Sequence, residues 1–158
     1  MRILGIDPGL RHTGWAIIDS SGQTRKYIAS GVILPPTTGE LPDRLAYIFD
    51  EVGRLVDEAK PDSAAIEITF VNKNPTTTLI LGHARAAAMI AIATRGVRLA
   101  EYEPNKIKKA ITGAGHADKG QITAMLKILL PAAAPKTADE ADAIAIALAH
   151  SNMTRLKG

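Results

Sequence analysis

Ile3-Leu4-Gly5-Ile6-Asp7-Pro8-Gly9 sets one ionisable side chain between an apolar, strand-like segment and a Pro-Gly turn. An aspartate so placed is presented at the end of a sheet and not hidden within it. Working outward, three further acids can join it. Glu67 interrupts the apolar stretch Ala64-Ala65-Ile66 before Ile68, and Asp139 and Asp142 lie in an alanine-rich segment. Four carboxylates gathered from distant parts of a small chain suggest a divalent-metal site.

Asp139 and Asp142 are three residues apart, so on a helix they project from one face. Ala138, Ala141, Ala143, Ile144, Ala145 and Ile146 surround them with apolar side chains, as in a buried, closely packed helix. Burying either ionised group without a partner costs several kcal/mol, so positive charge is expected nearby. A helix dipole favours first-turn carboxylates by about 0.3–1 kcal/mol each, which accounts for Asp139 and Glu140. It does not account for Asp142, which lies further in, or for Asp7 and Glu67.

The chain has no cysteine, so thiolate metal sites and disulfides are excluded and hard cations such as Mg²⁺ or Mn²⁺ are the expected ligands. Two such ions about 3.5–4 Å apart would neutralise the acids, one activating a water and the other stabilising a departing oxygen. Phosphodiester cleavage fits that arrangement. It also fits the charge distribution: the net charge is only +3, but residues 72–127 hold 9 basic and 3 acidic side chains, against 7 and 10 in residues 1–71. A basic segment of this kind attracts a polyanion, although a solvated helix surface would look the same.

Within it, Lys106, Lys108, Lys109 and Lys119 flank Gly113-Ala114-Gly115-His116, a pattern suited to a mobile loop that grips phosphate. Lys109 and Lys127 are explained equally well as ordinary surface lysines. Phe70 follows Glu67 by three residues and precedes a polar link, where it can stack on a base or fill the core. His83 and His116 suggest no chemistry.

At 158 residues the chain has the length of one domain, expected over 1–158 with a short flexible tail at its last few residues. Nothing at its start resembles a signal peptide, which predicts a cytoplasmic protein. The apolar segment 79–94 carries His83 and Arg85 and is shorter than the roughly 20 residues of a membrane span. A buried or interface helix, with no membrane partner, is expected there. β-like stretches at Arg2–Ile6, Gly14–Asp19 and Lys26–Leu34 precede an amphipathic helix over Leu41–Ala59. A strand over Ala64–Phe70, a helix from the Asn72–Pro75 link to about Arg95, and a strand over Val97–Tyr102 follow. Helical-looking stretches over Asn105–Ile111 and Asp118–Leu130 come next. The last helix opens near Thr137, where Thr137 and Glu140 match a capping box. The order reads β-β-β-α-β-α-β-α-α, an α/β fold with a mixed sheet and helices on both faces.

These motifs resemble one family. Ile3–Gly9 with Thr13-Gly14, Ile66-Glu67 with Phe70 and Lys73-Asn74, and Gly82 with Ala84-Arg85 carry the likeness. So do Pro104-Asn105-Lys106 with Lys108, Ala117-Asp118-Lys119, and Ala138-Asp139 with Ala141-Asp142-Ala143. Together, in order along nearly the whole chain, they resemble the RuvC Holliday-junction resolvases. The resemblance implies a ribonuclease H-like fold with a five-stranded sheet. It also implies a homodimer that nicks two like-polarity strands of a four-way DNA junction with Mg²⁺, and the RuvAB branch-migration complex as cellular partner. It puts the catalytic, metal-holding acids at Asp7, Glu67, Asp139 and Asp142. Lys119 joins them in catalysis, on the water or on the phosphate, and Phe70, Lys73, Lys106, Lys108 and Lys119 contact DNA. An apolar stripe of Leu79, Gly82, Ala86, Met89, Ile90 and Ala93 suits either a dimer interface or the core.

Two other readings are open. Asp7-Pro8-Gly9 with Thr13-Gly14 resembles the phosphate turn of actin-like ATPases, which need two such lobes. The basic segment alone would suffice for a junction-binding module without catalysis.

Overall fold

Alternation along the first strand divides the molecule into two cores. In a computed structural model that describes residues 1–69 and 74–155, β1 spans Arg2–Asp7, with Ile3 in one core and Leu4 and Ile6 in the other. Its partners are β2 (Thr13–Ser21), β3 (Thr24–Ile33), β4 (Ser63–Glu67) and β5 (Arg98–Tyr102). The sheet order is β3-β2-β1-β4-β5. β1, β2 and β3 pair antiparallel through short turns, whereas β1–β4 and β4–β5 are parallel and joined by helical crossovers.

On one face, α1 (Leu41–Ala59) and α2 (Pro75–Ala93) pack Ile48, Val52, Val56 and Ala84, Ala88, Ile92 against Leu4, Ile6, Ala64 and Ile66. On the other, α3 (Pro104–Thr112), α4 (Lys119–Leu129) and α5 (Ala138–Arg155) cover Ile3, Ala16, Ile18 and Ala65. Three helices therefore follow β5, over the three helical stretches read from the sequence, although the order written as β-β-β-α-β-α-β-α-α counted only two there. Their boundaries have local causes. Prolines open α1, α2 and α3 in the first turn, where a missing N–H is harmless, and Gly113 ends α3 in the left-handed conformation (φ 81°).

The strand expected over Ala64–Phe70 ends at Glu67, although the Ile68 N–H still donates to the Tyr102 carbonyl (2.8 Å). Only half of the capping box at Thr137 forms. Thr137 Oγ1 accepts from the Glu140 N–H (3.1 Å), but the buried Glu140 carboxylate accepts instead from Ser30 Oγ (3.0 Å) and the Lys136 N–H. A complete box stands at Asp118 and Gln121, at the start of α4. The expected tail falls mainly on 156–158, outside the described residues.

Among the described residues α2 is long and apolar enough to cross a membrane by length and composition, but it lies along the sheet with one side buried.

Candidate active site

Side chains two apart on a strand share a face. Ile3 belongs to the core beneath α5 and Gly5 lies directly against α5, so Asp7 emerges on the same side. In β4, Ala65 lies in that core and Glu67 has the same parity. Because β1 and β4 are parallel with Ile6 opposite Ile66, Asp7 and Glu67 stand next to each other at the carboxyl ends of adjacent strands. α5 descends onto this corner with Asp139 and Asp142 in its first two turns.

Two absent side chains make that approach possible. Gly14 pairs with Asp7 across the antiparallel ladder, and a Cβ on it would overlap the Asp139 carbonyl; a Cβ on Gly5 would overlap the Ala143 carbonyl. Glycine at both positions lets the α5 backbone rest on the sheet backbone, which draws its acids toward Asp7.

The electrostatics follow from this crowding. Asp7 is pushed up to about 7, chiefly by burial and then by the negative charges of Asp142, Glu67 and Asp139, with Lys119 opposing. Burial, then Asp142, raises Glu67, while Lys108 lowers it. Asp142 is raised by burial first, with Lys119 and Lys108 acting against Asp139. Asp7, Glu67, Asp142, Lys108 and Lys119 line a cavity of about 310 Å³, and Asp139 with Asp7 lines an adjoining one of about 660 Å³.

The donor set is all hard oxygen and carries more negative charge than two lysines offset, which is the chemistry of a divalent-cation site. The side chains are nevertheless not closed around an ion: among the described residues no group of three or more Asp, Glu or His is arranged to hold one.

Other expected residues fare differently. Lys106 lies over the Tyr102 ring, 5.8 Å from its centroid, and lines neither cavity. Phe70 and Lys73 lie outside the described residues. Met89, in the apolar stripe, packs into the core, whereas Leu79 and Ile90 are exposed.

Sequence reasoning missed the support of Glu67. Arg85 Nε donates to the Glu67 carbonyl (3.0 Å) and its guanidinium pairs with Glu101, tying α2 to the end of β4. It also missed the buried His150, set between Ser63 Oγ (3.0 Å) and the Tyr102 hydroxyl (2.8 Å), whose pKa burial lowers. Neither pairing leaves a signal at fixed spacing in the chain.

The family described as Crossover junction endodeoxyribonuclease RuvC matches residues 3–150. The chain belongs to the RuvC family. RuvC relatives named crossover junction endodeoxyribonuclease include that of Nitrobacter hamburgensis, 53% identical over 96% of this chain and 89% of the relative. That of Bradyrhizobium sp. strain BTAi1 is 51% identical over 96% and 87%. Thermus thermophilus RuvC, solved in complex with a Holliday junction substrate, superposes with a TM-score of 0.93 at 28% identity, covering 99% of this chain and 96% of that one. The mixed five-stranded sheet is thus the ribonuclease H-like resolvase fold of RuvC, and the chain is an endodeoxyribonuclease. Neither the ATPase lobe nor the silent binding module is favoured.

Proposed function

We propose that this protein resolves four-way DNA junctions by paired nicking, using a divalent cation held by Asp7, Glu67, Asp139 and Asp142. The observation that carries the reading is the meeting of two strand-end acids with two acids of α5 beside Lys108 and Lys119. Mg²⁺, with Mn²⁺ as substitute and two ions per site, supplies activation of water and stabilisation of the leaving oxygen. The chain's own part is to orient the scissile phosphate. Lys108 and Lys119 offset its charge, and the apolar wall of Ile107, Ile122 and Ala145 limits water around it.

A junction of twofold symmetry calls for two such sites. The exposed side of α2, with Leu79, Gly82, Ala86 and Ile90, is the surface we assign to a homodimer. RuvAB is the partner that the family resemblance implies.

A junction labelled on each arm tests the reading. In EDTA the protein binds it uncut. With Mg²⁺ it leaves symmetric nicks in two like-polarity strands and spares linear duplex of the same sequence. Cutting in EDTA, or equal cutting of the duplex, overturns the assignment. Light scattering at micromolar concentration reads twice the chain mass, and Ile90→Glu halves it; a monomeric wild type removes the dimer.

A further inference from the structure

An enzyme that cuts inside a continuous strand must accommodate that strand on both sides of the scissile phosphate. Lys108 and Lys119 stand on one side of the acids. The cavity of about 660 Å³ on which Asp7 and Asp139 also border contains neither lysine. Its walls carry Arg11 and His12, from the turn after β1, and Arg44 from α1. The same three residues line a further cavity of about 560 Å³ that runs on past Leu34 and Thr37. A groove with a basic wall therefore leads away from the acids.

The charges of Arg11 and Arg44 are not cancelled by carboxylates within the fold. Arg2, Arg54, Arg85 and Arg95 each pair with a carboxylate, whereas among the described residues Arg11 and Arg44 do not. Arg44 Nη2 donates to the Leu10 carbonyl (3.1 Å), which fixes the guanidinium against the turn. Its Nε is buried and has no hydrogen-bond partner among the described residues. That enclosed Nε is out of reach of a ligand, so the part of Arg44 open to a phosphate is the guanidinium edge that lines both cavities. The turn itself is held in place: the buried Thr13 Oγ1 donates to the Gly9 carbonyl (2.8 Å) and accepts from the Gly9 N–H (3.2 Å).

We propose that Arg11 and Arg44, with His12 beside them, form a second phosphate subsite for the cut strand, across Asp7 and Asp139 from Lys108 and Lys119. The ligand is a DNA phosphodiester neighbouring the scissile one. The subsite rests on the nuclease reading above and deepens it. Near Asp7 and Asp139 a phosphate is repelled, and two arginines presenting planar N–H donors offset that repulsion while setting the direction in which the strand departs.

The experiment uses full-length Arg11→Gln, Arg44→Gln and, as control, Lys127→Gln, which lines neither cavity. Four-way junction affinity is measured in EDTA across a salt series, and single-turnover nicking is measured in Mg²⁺. Each arginine variant is expected to flatten the slope of log affinity against log salt by about 0.9. Each should also lose about tenfold in affinity and in nicking rate, while Lys127→Gln matches wild type. The Arg11 side chain is exposed and makes no hydrogen bond or ion pair among the described residues, so Arg11→Gln should unfold at the wild-type temperature. Its result stands even where Arg44→Gln, by releasing the Leu10 carbonyl, loosens the turn. Wild-type slope and nicking in Arg11→Gln, beside an active wild type, overturns the subsite alone. A wild type that neither binds nor nicks the junction overturns the nuclease reading instead.

Discussion

α2 and α5 are both alanine-rich helices, of 19 and 18 residues, lying on opposite faces of one sheet and used in opposite ways. α2 is the more apolar, yet it exposes Leu79 and Ile90. α5 carries Asp139, Glu140, Asp142 and His150 and is buried without a break from Ala143 to Ser151. Hydrophobicity did not decide which helix became the core. α5 is enclosed by the sheet, α3 and α4, so its charged first turn acts in a poorly solvating corner where electrostatic effects are large. α2 has the sheet and α1 on one side only.

The strongest way to break this contrast is to neutralise the acids of the enclosed side. Asp7→Asn, Glu67→Gln, Asp139→Asn or Asp142→Asn should each reduce nicking by on the order of 10³-fold, with junction binding in EDTA retained. Undiminished cutting by all four would dissolve the assignment.

Asp7→Asn should also stabilise the metal-free protein. The folded chain keeps the Asp7 proton up to about pH 7, whereas an ordinary carboxyl loses it near 3.8. The folded state binds more protons between those values, so stability falls as pH rises through that window and the whole penalty is present above it. At pH 8 the variant is expected to be more stable to urea unfolding, by on the order of 4 kcal/mol at most. The gap should close near pH 4; a difference that persisted there would have another source.

Paired glycine substitutions sharpen the contrast further. Gly5→Ala sets a Cβ against the Ala143 carbonyl and should destabilise by about 1–3 kcal/mol, read by urea unfolding. Gly82→Ala on α2 meets nothing of its own chain within 4 Å, so in the Ile90→Glu background, where the proposed dimer is broken, it should gain up to about 1 kcal/mol in helix propensity. Equal effects at the two positions would mean that α5 is not seated as closely as described.

Much of this arrangement was legible in the chain. The strand-turn pattern around Asp7 and the three-residue spacing of Asp139 and Asp142 are local signals, and each fixes a face of an element by itself. Leu41–Ala59 was likewise bounded correctly from its apolar period. Contacts that join elements were not legible. Arg85 reaches the Glu67 carbonyl across 18 residues, Arg44 reaches Leu10 across 34, and Ser63 meets His150 across 87. The capping box at Thr137 misled because Ser30, distant in the chain, claims the Glu140 carboxylate.

The close seating of α5 has a consequence for how relatives of this protein should be judged. If the four acids act as proposed, a chain could retain all of them and still be inert with a methyl group at position 5 or 14, because the helix bearing two of them would be propped off the sheet. On that reading two missing side chains would be as diagnostic of a working enzyme as the charged ones, and an inventory of reactive groups that omits them would count some disabled proteins as competent.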